Sequence, residues 1–207
     1  MSSTKLGLID YAKKVLPALL LLWHSCALSG PLSPRTIIEF ENTNLGHYLL
    51  VADAAEIQWI EQGGAGPGWR RTQESFWEES VLAWRLAFAC RFYGSVSPGP
   101  NSHFFTIDQA ECDWLKNLAA SLPPDVPKWN YEGDAFKVIP LWEGQCPITE
   151  RGTATAPVYR LYNRGFERGI DSNHRYTTSR QIVEEMKARG WVEEGIAWCT
   201  RPNGPWT

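Results

Sequence analysis

The segment that decides the fold lies near the C-terminal end of the chain. It reads Val158-Tyr159-Arg160-Leu161-Tyr162-Asn163, then, after a polar insert, His174-Arg175-Tyr176-Thr177-Thr178-Ser179, and finally Trp191-Val192-Glu193-Glu194-Gly195-Ile196-Ala197-Trp198. The first piece alternates large apolar and polar residues, and the second is rich in aromatic and β-branched residues, so both suit strands. Between the second and third pieces, Ile182, Val183 and Met186 recur at helical spacing. The segment therefore predicts a strand, a second strand, a short helix and a third strand.

Two earlier segments follow the same order. The central one contains Cys90-Arg91-Phe92-Tyr93-Gly94, His103-Phe104-Phe105-Thr106, the stretch 108–118 and Trp129-Asn130-Tyr131-Glu132-Gly133-Asp134-Ala135-Phe136. The first contains Ile38-Glu39-Phe40-Glu41-Asn42, His47-Tyr48-Leu49-Leu50, the stretch 53–62, Trp69 and Ser75-Phe76. This first copy departs from the others, with Glu39 in place of Arg and Thr72-Gln73 in place of Glu-Gly.

One unit of this size cannot bury its own aromatic face, whereas three can cover one another. We therefore predict an α+β fold with three strand-strand-helix-strand repeats in a pseudo-threefold arrangement around an aromatic-rich core. The units span about 36–79, 84–138 and 156–200, and residues 139–155 form a linker. Together they make a single repeat domain over residues 30–207.

Each helix has a start signal. Asp53 and Asp108 are each followed three residues later by Glu, the capping-box spacing, and Ser179 takes the same place in the third unit. Apolar residues such as Ile60, Trp114 and Leu118 recur at helical spacing, which predicts that this helical face is buried.

Composition and charge exclude several classes of protein. The 207 residues are 43% hydrophobic and 21% charged, which fits neither a disordered nor a membrane-embedded chain. The net charge of -3 lacks the basic footprint of nucleic-acid binding, so we predict no nucleic-acid partner. An unusual 11 Trp stand beside 7 Tyr and 8 Phe, which favours a rigid structure lined by aromatic rings.

The N-terminal residues are typical of an export signal. Lys13 and Lys14 precede an apolar run, and small residues follow up to Ser29. We predict a signal peptide over residues 1–29 and a secreted or cell-envelope protein with no membrane span after cleavage, because the apolar run is too short to cross a bilayer as a helix. Two alternatives stay open: a lipoprotein cut before Cys26, and an N-terminal helix packed on the domain.

Four cysteines remain after cleavage, namely Cys90, Cys112, Cys146 and Cys199. An even number in an exported chain favours two disulfides. Three pairings are possible; we favour Cys90 with Cys112 and Cys146 with Cys199, so that each pair lies within one unit. A zinc site is the alternative, although no pair has the short spacing that such sites use.

The repeated marks resemble those of a secreted repeat family of bacteria and fungi known as domain of unknown function 5648. They are R-[FL]-Y-[NG], N/S-H-x-aromatic-T and W-x-x-E-G-x-A-aromatic, and the resemblance covers about residues 36–200, with a degenerate first repeat. The signature residues are His47, His103, His174, Arg91, Arg160, Trp129, Glu132, Gly133, Trp191, Glu194 and Gly195. Since such repeats are often exported and sometimes attached to secreted hydrolases, the resemblance implies an accessory or binding role and supplies no catalytic residues.

Two groups of signature residues are candidates for chemistry. If the three equivalent histidines converged on an axis, they would form a zinc site with an open position for water, and the protein would be a metal-dependent hydrolase. A repeated structural bond is the simpler interpretation. Glu132 and Glu194 could be paired glycosidase carboxylates, but equivalent positions would not separate their pKa values. We instead predict that each is a turn residue bonded to Arg91 or Arg160.

Binding is therefore the favoured function. We predict a non-catalytic module for a glycan or other cell-surface polymer, with a surface protein as another possible partner, no cofactor, no metal and no catalytic residue. Exposed Trp and Tyr rings present flat apolar faces to a ligand, and the tryptophans outside the repeated marks are freer to do so. Our candidate ligand-binding residues are Trp77, Trp84, Trp142, Tyr93 and Tyr162. The alternative is the secreted hydrolase with its three histidines.

Overall fold

The computed structural model describes residues 35–79, 86–95, 100–149 and 152–202. The predicted signal peptide and Trp84 lie outside the described residues. All described residues belong to one unit, Leu32–Thr207. Its elements are β1 (Thr36–Asn42), β2 (His47–Val51), α1 (Ala54–Glu61), β3 (Trp69–Trp77), β4 (Ala87–Gly94), β5 (His103–Thr106), α2 (Gln109–Ser121), β6 (Trp129–Val138), β7 (Ala156–Tyr162), β8 (His174–Thr177), α3 (Arg180–Ala188) and β9 (Val192–Thr200). A short 3-10 turn, Phe166–Arg168, lies between β7 and β8.

The order strand, strand, helix, strand thus occurs three times, and we call these groups unit 1, unit 2 and unit 3. Each unit forms its own three-stranded antiparallel sheet, in which the first strand lies between the other two, in the orders β2-β1-β3, β5-β4-β6 and β8-β7-β9. Helices and strands are both present in quantity, so the α+β class is confirmed.

The helices begin at the residues that the sequence indicates. The side chain of Asp53 accepts a hydrogen bond from the backbone N–H of Glu56 at 2.8 Å, and Asp108 and Ser179 cap α2 and α3 in the same way. Such a bond satisfies one of the free N–H groups of the first turn. The predicted burial of the helical face was wrong at two positions, because Trp114 is 60% exposed and Leu118 is 37% exposed.

The Glu-Gly pairs do not lie in turns, which corrects a second expectation. Gly133 pairs with Arg91, and Gly195 pairs with Arg160, in the middle of β6 and β9. The strand register shifts immediately beyond each pair, as at a β-bulge. Gly133 has a backbone φ of 130° and Gly195 a φ of 103°, a region that residues other than glycine rarely adopt.

The central core takes side chains from all three units. Equivalent positions contribute Ile37, Ala89 and Val158 from the middle strands, Leu49, Phe105 and Tyr176 from the second strands, and Phe76, Phe136 and Trp198 from the third strands. All are at most 4% exposed. Since each unit adds one wall to the same apolar cluster, the units stabilise one another by burial.

Two disulfides join the elements further. Cys90 is bonded to Cys112, which ties β4 to α2, and Cys146 is bonded to Cys199. The pairing is the favoured one. Cys146, however, lies in the segment between β6 and β7, so the second disulfide ties this connection to β9 rather than closing a single unit. In the part of the chain that the structure describes, no helix is long and apolar enough to cross a membrane.

Candidate functional site

Two aromatic clefts lie at equivalent places between consecutive units. The first cleft, of about 550 Å³, lies between α1 of unit 1 and the strands β4 and β5 of unit 2. The second cleft, of about 860 Å³, lies between α2 of unit 2 and the end of β7 with β8 of unit 3. Each is lined by a helix tryptophan, an aliphatic residue after it, a third-strand tryptophan, a tyrosine and a histidine: Trp59, Ile60, Trp69, Tyr93 and His103 in the first, and Trp114, Leu115, Trp129, Tyr162 and His174 in the second.

The helix tryptophans are the exposed members of these sets. Trp59 is 54% exposed and Trp114 is 60% exposed, which is unusual for so large an apolar side chain. Trp59 also lies close against Gly64, since a methyl group added at Gly64 would overlap its indole ring. Gly64 therefore leaves the space in which this ring lies, while the rest of the ring is exposed.

A polar network surrounds the first cleft. Arg91 donates from Nε to Glu132 at 2.7 Å and from Nη1 to Glu56 at 2.8 Å, so it joins α1 of unit 1 to β6 of unit 2. His103 Nε2 lies 3.5 Å from Glu132 Oε2. Burial by itself would raise the pKa of Glu132. Hydrogen bonds from His103 and Arg91 together have the larger and opposite effect, so the pKa is lowered to about 2. Glu132 is thus an anion at any ordinary pH.

The tyrosine of the first cleft is also anchored. Tyr93 donates its hydroxyl hydrogen to Asn101 Oδ1 at 3.1 Å, and its ring centroid lies 5.0 Å from that of His103. Asn101 in turn donates to Asp171 at 2.8 Å. The first cleft therefore combines two tryptophans and a tyrosine with fixed amide, imidazole and carboxylate groups.

The second cleft has the same plan with fewer polar groups. His174 stacks on Tyr162, with centroids 4.9 Å apart and planes inclined by 17°. Burial, assisted by the charge of Arg160, lowers the pKa of His174 to about 3, so this imidazole is neutral. Its Nδ1 is buried and has no hydrogen-bond partner among the described residues.

The three signature histidines lie at equivalent strand starts but are not gathered around one site. His47 lies 3.7 Å from Asp171, His103 lies 3.5 Å from Glu132, and His174 lies 3.7 Å from Glu194. Each therefore has a carboxylate of its own. Within the described ranges, no group of three or more His, Cys, Asp or Glu side chains could hold a metal ion.

The two signature glutamates have different environments, contrary to the sequence argument. The pKa of Glu132 is lowered, whereas burial raises the pKa of Glu194 despite the opposing effect of Arg160. Both do bond the arginine of their own unit, as expected, since Arg160 Nε lies 2.8 Å from Glu194. Glu132 lines the first cleft, while Glu194 lines a separate recess beside Arg160.

The candidate ligand-binding residues fall into two groups. Tyr93 lines the first cleft and Tyr162 the second. Trp77 is half-buried at the end of β3, and Trp142 is 64% exposed in a turn, and both are outside the two clefts.

Sequence reasoning missed Trp59 and Trp114, although a signal was present. Each follows its helix cap in the pattern Asp-x-x-Glu-x-x-Trp, at Asp53 and at Asp108. Helical spacing alone placed Trp114 on the buried face. The repetition of tryptophan at one position in two units was the better guide, because Ile60 and Leu115 beside it already supply the buried contact.

Comparison with known families agrees with the sequence signature. Residues 116–204 match the family model described as Domain of unknown function (DUF5648). The resemblance is thus confirmed over this range, which runs from the middle of α2 to the end of unit 3. The DUF5648 range includes Trp129, Tyr162 and His174 of the second cleft and leaves Trp59 and Tyr93 of the first outside it. Searches of curated proteins and of solved structures find no match.

Proposed function

We propose that the protein is an exported, non-catalytic module that binds a glycan of a cell-surface or extracellular polymer in the first cleft. The observation that carries the proposal is the exposed Trp59 ring, which lies against Gly64 and lines the same cavity as Tyr93. A sugar ring has an apolar C–H face and a rim of hydroxyl groups. A flat aromatic face suits the first, and fixed polar side chains suit the second.

The hydroxyl rim has partners in the first cleft. The exposed side chain of Asn44 and the imidazole of His103 line it together with Glu132 and Arg91. Because Arg91 is already bonded by Glu56 and Glu132, the cleft presents hydrogen-bonding groups rather than an unpaired charge. This balance favours a neutral sugar over an acidic one.

A pseudo-threefold arrangement of the units would give the clefts their rigidity. The contacts between units support it. Arg91 of unit 2 bonds Glu56 of α1, Arg160 of unit 3 bonds Glu111 of α2, and Arg175 of unit 3 bonds Glu39 of unit 1. In the third contact the middle strand supplies the carboxylate, and the arginine comes from β8 rather than from a helix, so the Glu at position 39 that departs from the sequence pattern still has a partner in another unit.

Export is supported by the covalent structure. Disulfides persist in oxidising compartments outside the cytosol, and both of those described here join elements that are distant in sequence. A secreted or envelope location and an N-terminal signal would supply that environment.

The carboxylate of the first cleft, Glu132, favours binding over hydrolysis. A glycosidase acid needs a carboxyl group whose pKa is raised towards its working pH. Glu132, the carboxylate of the first cleft, has a pKa near 2 and is held by Arg91. It suits the role of a fixed hydrogen-bond acceptor.

The test compares the purified protein with two tryptophan variants on a panel of neutral and acidic polysaccharides, by affinity electrophoresis followed by titration calorimetry. We expect Trp59→Ala to weaken binding by about tenfold or more, since a central aromatic contact contributes at least this much. Trp142→Ala is the matched control, because Trp142 is equally exposed but outside the clefts. The proposal would be overturned if a polysaccharide retained Trp59→Ala and Trp142→Ala equally, or if no polysaccharide retained the protein.

A further inference from the structure

The second cleft differs chemically from the first, although the two have the same plan. Four of its lining residues, Trp114, Leu118, Phe166 and Ile170, are large, apolar and between 37% and 84% exposed. They come from the two opposite walls, α2 on one side and the 3-10 insert of unit 3 on the other. Exposed apolar residues concentrated in one concavity indicate a binding site rather than ordinary surface.

The charged groups at the edge of this cleft are already engaged. Lys128 Nζ donates to the backbone carbonyls of Leu122 and Pro123, at 3.3 and 2.8 Å. Asp171 accepts from Asn101, and His174 is neutral. The charged side chains that line the cleft among the described residues, Lys128 and Asp171, thus already make hydrogen bonds within the protein, and the rest of the lining is mainly apolar.

Both walls are held by hydrogen bonds within the protein. In the insert, Asn163 donates to the carbonyl of Asp171 at 2.9 Å and accepts from the N–H of Gly165 at 2.8 Å. The N–H of Phe166 donates to the Tyr162 hydroxyl at 3.1 Å. Lys128 fixes the chain after α2 on the other side. A preformed apolar cleft binds with little ordering cost.

We propose that the second cleft binds the neutral alkyl or aryl group of a small molecule, independently of the glycan in the first cleft. Its volume of about 860 Å³ is within the range of small-molecule sites. A single side chain of a partner protein would not fill a cleft of this size. An ionic group buried in this mainly apolar lining would lose its hydration, whereas the exposed rings and aliphatic groups of the two walls gain from being covered.

The test uses 1-decanol and 2-naphthol as neutral alkyl and aryl probes, with decanoate and decylammonium as charged counterparts, in titration calorimetry of the intact protein. We expect at least one neutral probe to bind with 1:1 stoichiometry, and decanoate and decylammonium to bind about tenfold more weakly or not at all. The two neutral arms distinguish an alkyl from an aryl ligand.

Variants then locate the site. Phe166→Ala and Leu118→Asn change exposed side chains and should leave the fold intact, yet each should weaken binding of the neutral probe by about tenfold. Trp59→Ala, in the first cleft, is the control and should bind the probe normally. This control also separates the two proposals, because glycan binding depends on Trp59 and probe binding does not.

Three results would overturn the inference: no binding of either neutral probe, equal binding of the charged probes, or unchanged binding in both second-cleft variants. Sedimentation at several protein concentrations adds a fourth. If the probe binds only by dissociating a dimer, the natural occupant of the cleft is a second copy of this chain.

Discussion

Replacing Tyr176 with Phe tests whether the units are stabilised as one structure. The Tyr176 hydroxyl belongs to unit 3 and bonds the backbone of Phe105 in unit 2 twice. It donates to the carbonyl oxygen at 2.7 Å and accepts from the N–H at 2.9 Å. The Tyr176 side chain is 2% exposed, and its ring stacks on Trp198 with centroids 4.9 Å apart.

The expected cost of Tyr176→Phe comes from the two backbone groups that lose their partner. A buried N–H or C=O left without a hydrogen bond costs about 1–3 kcal/mol. The ring keeps its packing on Trp198, so loss of apolar contact adds little. We expect the free energy of unfolding to fall by about 2–6 kcal/mol, a large share of the total for one domain.

The measurement is guanidinium unfolding followed by far-ultraviolet circular dichroism, with both disulfides intact. The midpoint should move while the slope of the free energy against denaturant stays the same, because the native surface is unchanged. Tyr131→Phe is the control: Tyr131 is 40% exposed and donates to Asp134, so its loss should cost no more than about 0.5 kcal/mol. Equal stability of the two variants would refute the argument.

Three further predictions concern other parts of the molecule. Removing the disulfide with the Cys90→Ala and Cys112→Ala pair should lower the free energy of unfolding by about 3 kcal/mol, from the 22-residue separation, as measured by denaturant unfolding. Glu132→Gln should lower the free energy of unfolding, and the full difference from the unaltered protein should be present above about pH 4.5. This difference should vanish as the pH falls towards 2, because the lowered pKa of Glu132 stabilises the fold only while the carboxylate is charged. Gly64→Ala should displace the Trp59 ring and weaken glycan binding by about tenfold in calorimetry.

Each of these predictions has an internal control. The second disulfide closes a 53-residue separation, so its removal should cost about 4 kcal/mol; a smaller cost than for the first would contradict the loop-closure argument. Glu184→Gln changes an exposed carboxylate on α3 and is the matched control, whose stability is compared with that of Glu132→Gln at each pH. Adding Gly64→Ala to Trp59→Ala should have no further effect on glycan binding, whereas additive losses would mean that Gly64 acts by another route.

Local signals predicted the elements because they depend on neighbouring residues. The caps at Asp53, Asp108 and Ser179 bond N–H groups within three residues, so the sequence shows both partners at once. The same logic failed at Glu132 and Gly133. A Glu-Gly pair is common to turns and to bulges, and only the pairing of Gly133 with Arg91 distinguishes them.

The clefts could be predicted only in part. Tyr93 and Tyr162 were among the predicted ligand-binding residues, and each lines one of the two clefts. Trp59 and Trp114 were missed, because spacing along a helix shows which residues share a face but not where the next unit ends. Each ring is exposed at the edge of a cleft whose opposite wall belongs to another unit.

The sequence by itself determined the order of elements, the helix starts and the favoured disulfide pairing, since these follow from local spacing and from the recurrence of one pattern. Only the tertiary structure decided that the three histidines take separate carboxylates, and that Glu132 and Glu194 have pKa values shifted in opposite directions. These properties depend on burial and on charges supplied by neighbouring units. Equivalent residues in a repeat share their backbone position, but their surroundings differ wherever the adjoining units differ.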